Sequence, residues 1–296
     1  MPFVQANVNY AAEYSRALAN AYPYVSYYGR IWASQNSAKY KPGMGKTMYI
    51  PSLEVSGARA VNRDQITGTF NRNWNNDLQA VTLQMDREWD TLVDPMDIDE
   101  TNMVASIANI TRTFVEQQKI PEMDAFLSTV LYAAVTPDTT ALTAANILTT
   151  WDGYLENLAN ARVNRDRAVA YVDPATYKLL KEAAGLTRFV DVENGYRGID
   201  RNVARLDGVE LTEVPADLMK SAYTFTDGWA AQVSAKQIHL IIVDPEAVAA
   251  PVKYETSMIS APTAQSKGKY LYYERYYYGA FALNKRKGGI IVNADA

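Results

Sequence analysis

An α+β fold is predicted by three features of the sequence. Val81 to Val93 alternates as an extended strand: Val81, Leu83, Met85, Trp89 and Val93 fall on one face, and Thr82, Gln84, Asp86, Glu88 and Asp90 on the other. Arg87 and Leu92 are its exceptions. Met103, Ile107, Ile110 and Phe114 then recur at four, three and four residues, one apolar stripe of an amphipathic helix. Farther on, short apolar strands at Arg167 to Val172 and Gln237 to Val243 are interleaved with helical stripes.

The first 42 residues carry Tyr10, Tyr14, Tyr22, Tyr24, Tyr27, Tyr28, Trp32 and Tyr40 among few aliphatic side chains. The pattern predicts a short helix over Ala11 to Ala21 and extended chain after Pro23, an arm that lies either on its own domain or on a neighbour. Lys41 to Gly45 is a turn, and Lys46 to Val55 a strand that Pro51 confines to an edge. Gly45-Lys46-Thr47 is not a phosphate loop. Tyr40 stands where that motif needs its first glycine, and the chain runs on into a strand.

Ser56 to Leu78 is polar, with Arg59, Arg63, Arg72, Trp74, Asp64 and Asp77. Flanked by strands, it reads as the tip of a long hairpin or as an ordinary loop. A lone projecting hairpin of this length is marginal, so it is expected to become ordered on a neighbour. Asp94-Pro95 stops the following strand. Asp97, with Glu100 in capping-box spacing, is expected to start a helix that Pro121 ends or kinks. Met123, Phe126, Leu127, Val130 and Leu131 then form a second stripe.

From about residue 143 the composition becomes that of an α/β module. Ile147, Leu148, Trp151, Tyr154, Leu155 and Leu158 repeat at helical spacing. Asp173-Pro174 closes the strand at Arg167 to Val172, and a helix is expected over Ala175 to Ala184 around Tyr177, Leu179 and Leu180. Gly195 to Gly208 reads as loop, and Gly208 to Val214 as a strand ended by Pro215. The tail from Val252 is extended. Tyr270, Tyr272, Tyr273, Tyr276, Tyr277 and Tyr278 place aromatic rows on both strand faces, and Ile290 to Val292 is expected to close a hairpin. The basic turn Lys285 to Gly289 either touches DNA or an acidic neighbour, or is simply solvated.

A net charge of -4 and a pI near 5.2 argue against a dedicated nucleic-acid binder. With no cysteine, disulfides and thiolate metal sites are excluded. No apolar run reaches the roughly 18 residues of a membrane span, and the N-terminus does not read as a signal peptide. The 21 tyrosines against 7 phenylalanines suit surfaces that are wet before association and covered after it. His239, the only histidine, lies in an apolar strand and reads as a core or interface residue. Asp86, Glu88, Asp90 and Asp94 imitate paired carboxylates. Glycosidase carboxylates must straddle a cleft, so four along one strand fit a solvated or interfacial face better. No enzyme and no cofactor is expected.

The segments LVDPMDIDETN and IPEMDAFLSTVLYAA, with the tail YYERYYYGAFALNKRKGGIIV, resemble the major capsid proteins of tailed bacteriophages, the family with the Hong Kong-97-type fold. The resemblance implies an N-terminal arm (1–42), an extended β-hairpin loop (43–94), a peripheral domain with a long spine helix (95–142), an α/β axial domain (143–249) and return strands (250–296). It implies a subunit that self-assembles through pentamers and hexamers into an icosahedral shell, enclosing double-stranded DNA without sequence-specific binding. A separate scaffold protein and a portal are the expected assembly partners, no membrane is involved, and the destination is the virion, built in the host cytoplasm. Candidate inter-subunit contacts are Tyr10, Tyr14, Tyr24, Tyr27 and Tyr28 on the arm and Arg59, Arg63, Arg72 and Trp74 on the loop, with Asp86, Glu88 and Asp90 as acidic faces opposite the arginines. Some members cross-link through a lysine on this loop. No lysine occurs from Thr47 to Gln118, so no such bond is expected. Alternatives are an encapsulin-like compartment on the same fold and, more distantly, a soluble carboxylate-dependent hydrolase.

Overall fold

The computed structural model describes residues 26–40, 47–58, 73–100, 106–183, 190–193, 196–199 and 204–296. The expected helix over Ala11 to Ala21, Met103 and residues 59–72 of the expected hairpin tip lie outside them, while the end of that tip, 74–78, belongs to a strand.

The chain after Pro23 was expected to be extended, but Gly29–Trp32 (α1) and Gln35–Lys39 (α2) are short helices. Their start is fixed from a distance. The buried Asp124 carboxylate accepts from Ser26 Oγ at 3.1 Å and from the Tyr27 N–H at 2.8 Å, holding the entry to α1. Thr47–Val55 (β1) and Trp74–Thr82 (β2) form an antiparallel hairpin in unbroken register, Thr47 opposite Thr82 and Val55 opposite Trp74.

The strand expected over Val81 to Val93 is in fact two. β2 ends at Thr82, and Met85–Val93 (β3) pairs elsewhere. The break falls where Leu83 turns inward against Gly279. A Cβ on that glycine would come within 2.7 Å of Leu83 Cδ2 and 3.1 Å of its Cα, so only glycine permits this crossing.

Pro95–Glu100 (α3) begins earlier than expected, with Pro95 in its first position and the Asp94 side chain accepting the Met96 N–H at 3.0 Å. Asp97 therefore lies in the first turn and is not the cap. Ser106 caps Ile107–Phe114 (α4), its hydroxyl accepting the Asn109 N–H at 3.4 Å. No break follows at Pro121. Val115–Lys119 widens into a π turn, the Ile120 N–H reaching back to the Val115 carbonyl, and Ile120–Ala134 (α5) continues directly. Proline has no N–H to give, and the widened turn absorbs that missing bond.

Ile147–Asn160 (α6) buries Ile147, Trp151, Tyr154, Leu155 and Leu158, the predicted stripe. Val169–Val172 (β4) is buried throughout. Asp173-Pro174 is a helix start as well as a strand stop: Asp173 accepts the Thr176 N–H at 2.8 Å and opens Pro174–Glu182 (α7). Val190–Glu193 (β5) and Tyr196–Ile199 (β6) form a hairpin within a stretch read partly as loop. Arg205–Leu206 (β7), Val209–Glu213 (β8), Tyr223–Thr224 (β9), Ala230–Ala231 (β10), Ile238–Val243 (β11), Val248–Ala249 (β12), Val252–Ser260 (β13), Tyr270–Tyr278 (β14), Phe281–Ala282 (β15) and Ile290–Ala294 (β16) complete the order.

Two sheets carry the molecule. One is five-stranded, in the order β16-β11-β4-β8-β7, parallel only between β4 and β8. The expected C-terminal hairpin is absent: Ile290 and Val292 pair with Val243 and Ile241 on β11, not with the adjacent strand. Because β11 is covered on both faces, Leu240 and Ile242 pack with α6 and α7, while Ile241 and Val243 join the other core beside α5. The second sheet is antiparallel, β13-β14-β3, and lays its inner face on the helical rod. There Trp89 stacks on Phe114 at 4.1 Å and 7°, and Tyr276 and Tyr278 stack at 5.9 Å.

Candidate assembly surfaces

Residues directly opposite in an antiparallel pair share a face. The β1–β2 register therefore gathers Tyr49, Leu53 and Val55 from one strand with Leu78 and Trp74 from the other. Their exposures are 64%, 66%, 72%, 54% and 51%. Pro51, opposite Leu78, extends the same row. The reverse face is docked. Ile50 is buried with Ala249, Phe281 and Leu283, Gln79 Nε2 donates to the Ala282 carbonyl at 3.0 Å, Gln79 Oε1 accepts the Asn284 N–H at 3.0 Å, and Glu54 pairs with Lys285. One side of the hairpin is thus held by the rest of the chain and the other presents an apolar strip interrupted only by Asn76 opposite Leu53, an arrangement characteristic of interaction sites.

The outer face of the second sheet is mixed. Arg275 Nε and Nη2 donate to Asp86 at 3.0 and 2.8 Å, the Tyr273 hydroxyl donates to Glu88 at 3.3 Å, and Asp90 lies exposed opposite Tyr273. Leu92 and Leu271 are opposed and exposed at its end, with Met258 beside them. On the inner face, Lys119 from the π turn lies 2.6 Å from Glu255 and also bonds Glu274. Burial pulls the Lys119 pKa down, but these two carboxylates outweigh it and hold the group charged.

Among the expected contact residues, Tyr10, Tyr14, Tyr24, Arg59, Arg63 and Arg72 lie outside the described residues. Trp74 belongs to the apolar strip, and Asp86, Glu88 and Asp90 share one exposed sheet face. Tyr27 is half-buried on the core. Tyr28 is a correction: it is 0% exposed, its hydroxyl accepts from Ser128 at 2.9 Å, and its ring meets Tyr171 at 4.5 Å, so it is a core residue of its own subunit. The cation on Asp86 is Arg275 of the neighbouring strand, which the sequence reading did not single out. Tyr49, Leu53, Val55 and Leu78 were missed too. Alternation in β1 hinted at them, but their union with Trp74 depends on a register set across the intervening loop.

His239 is half-buried, its ring nitrogens 3.2 Å from Asp173 and 3.0 Å from Asp295. Asp124, beneath the entry to α1, has its pKa pushed up to about 7 by burial, against the bonds from Tyr27 and Ser26. Among the described residues, no helix is long and apolar enough to cross a membrane.

No family model matches the chain, and no curated protein matches it. Solved structures do. A structure of Mycobacterium phage Che8 aligns with TM-score 0.64 at 16% identity, over 97% of this chain and 98% of that one. The asymmetric unit of the bacteriophage PhiM1 mature capsid aligns at 0.69 and 12% identity, over 99% and 92%. The capsid structure of cyanophage P-SCSP1u aligns at 0.69 and 10%, over 96% and 92%. Such low identity speaks for architecture alone, and on that ground the chain has the α+β bacteriophage-capsid fold that its sequence resemblance implied.

Proposed function

We propose that this chain is the major capsid subunit of a tailed bacteriophage, copies of which associate as pentamers and hexamers into an icosahedral shell around double-stranded DNA. The observation that carries the reading is the hairpin fixed on one face and exposed and largely apolar on the other. A second copy is the natural cover for such a strip. Many modest contacts of this kind, repeated around a closed shell, add up through multivalency where each alone is weak. In this reading residues 1–42 are the arm, 43–94 the extended loop, 95–142 with 250–296 the peripheral domain, and 143–249 the axial domain. The rod of α4 and α5 is the spine, and a separate scaffold and a portal complete assembly.

Sedimentation and negative-stain microscopy of the purified protein test this. Closed, uniform particles are expected. A species that stays a monomer or small oligomer across conditions overturns the reading, and particles from cells that hold protein cargo instead of DNA assign an encapsulin-like compartment.

A further inference from the structure

We propose that the surface where the end of α6 meets the loop before β16 is a contact site for the phosphate backbone of nucleic acid. Six cations converge there from two separate stretches: Arg162, Arg165 and Arg167, and Lys285, Arg286 and Lys287, all exposed. Gly288 brings the stretches together. A Cβ there would lie 2.9 Å from the Ala161 Cβ, so the basic loop rests directly on the helix end because it has no side chain at that point. Glu246 then fastens the halves, accepting from Arg167 at 2.8 Å and from Arg286 at 2.9 Å. Arg167 also meets Asp244 at 2.9 Å, and Lys285 meets Glu54. No ion pair among the described residues involves Arg162, Arg165 or Lys287. Asp166, also exposed, is the carboxylate within the first stretch.

Arg162 adds a second, independent observation. Its N–H bonds the Ala159 carbonyl at 2.9 Å and the Val163 N–H bonds the Leu158 carbonyl at 3.0 Å, the double closure of a helix C-terminus that glycine usually makes. Arginine occupies the left-handed position instead, at φ 60. The other two non-glycine residues at positive φ among the described residues, Asp207 and Lys267, each precede a glycine also at positive φ, as paired turn residues do; Arg162 does not. An arginine thus stands where the backbone conformation favours glycine. The negative end of α6 accounts for one nearby cation but not for six.

An exposed cluster of arginines and lysines with no apolar strip among them fits a polyanion's phosphates, which bind by charge and counterion release. An acidic protein face would be expected to offer apolar contacts as well. The chain's net charge of -4 limits the attraction to this face, so a duplex is touched locally and not gripped. The inference rests on the shell reading for the source of the nucleic acid.

The test uses the full-length unassembled subunit and a random-sequence DNA duplex, titrated at several salt concentrations. One variant carries Arg162→Gly, Arg165→Gln and Lys287→Gln. Its control removes equal charge elsewhere, with Lys178→Gln, Lys236→Gln and Lys267→Gln. The patch variant should lower the slope of log affinity against log salt by about two to three, following the release of roughly 0.9 counterion per phosphate contact, while the control keeps the wild-type slope. Equal slopes in both variants overturn the proposal. So does a patch variant that binds DNA normally but loses binding to polyglutamate, which would assign the surface to an acidic protein. Arg162→Gly restores the favoured residue at its position, so thermal melting should show the patch variant folded. Particle formation is scored separately: its absence in wild type defeats the shell reading and leaves the DNA result to stand by itself.

Discussion

Arg87 on β3 grips Glu122 on α5 through two parallel bonds, Nε to Oε1 at 3.0 Å and Nη2 to Oε2 at 2.8 Å. The pair ties the second sheet to the helical rod, and Glu122 is only 2% exposed. The Tyr278 hydroxyl also donates to Glu122 at 3.2 Å, and Arg87 Nη1 donates to the Phe225 carbonyl at 2.5 Å. Removing one partner leaves a buried, uncompensated charge. Arg87→Met should cost about 3–5 kcal/mol in urea denaturation of the unassembled subunit, and the double change Arg87→Met with Glu122→Met considerably less. Equal losses for single and double variants would refute the pairing as the cause.

Gly279 permits the crossing at Leu83. Gly279→Ala places a methyl group inside that contact and should destabilise the subunit by about 1–3 kcal/mol. The double change with Leu83→Ala should cost less than the sum of the two single losses, because the nearest clash is with the Leu83 side chain. A melt that Gly279→Ala leaves unmoved contradicts the close approach.

Leu53 and Trp74 are 66% and 51% exposed in the isolated chain. Leu53→Asn with Trp74→Ser should therefore change its folding stability by no more than about 0.5 kcal/mol for each site. Assembly yield, followed by sedimentation, should fall sharply. Particles formed at wild-type yield would remove the strip from the contact surface.

His239 gives a pH dependence of definite sign. A neutral imidazole has one N–H, yet both ring nitrogens face carboxylates, so the charged form fits the site. Burial pulls its pKa down, but Asp295 and Asp173 outweigh that and raise it above the ordinary 6.5. Its contribution is fully present below 6.5 and is lost as pH climbs through the raised value. Asp295 runs the other way. Its pKa is lowered chiefly by the bond from His239, so its share is present above the ordinary 3.8 and lost as pH falls through the depressed value. The excess thermal stability of wild type over His239→Gln should be greatest in mildly acidic buffer and shrink toward alkaline pH. A constant excess would contradict the bridge.

In the proposed loop (43–94) the one lysine is Lys46, at its base, and none occurs from Thr47 to Gln118, so the projecting part has no isopeptide donor. Boiled particles should run as single subunits in denaturing electrophoresis, and a covalent ladder would contradict that.

Legibility in the sequence followed the range of the interaction. α6 was readable because Trp151, Leu155 and Leu158 form a stripe that any amphipathic helix shows, and β4 and β11 because strands buried on both faces are apolar without interruption. What stayed hidden was set by partners far along the chain. The break after Thr82 depends on Gly279, the folding of α1 on Asp124, and the placement of β16 on β11. Of the candidate surfaces, the acidic face on β3 was visible as alternation. The apolar strip was not, since nothing in β1 alone says which residues of β2 will stand opposite. Nor does a tyrosine-rich stretch reveal that Tyr28 belongs to the core while Tyr27 beside it stays half-exposed.

The position of β16 bears on the order of events during synthesis. Its place beside β11 cannot be filled until residues 290–294 have left the ribosome, although most of that sheet emerged long before. Until then the nascent chain carries an open strand edge, and the finished shape exists only after translation has passed residue 294. An open edge of that kind can template pairing with another chain, so this sheet is protected only once its last strand is in place.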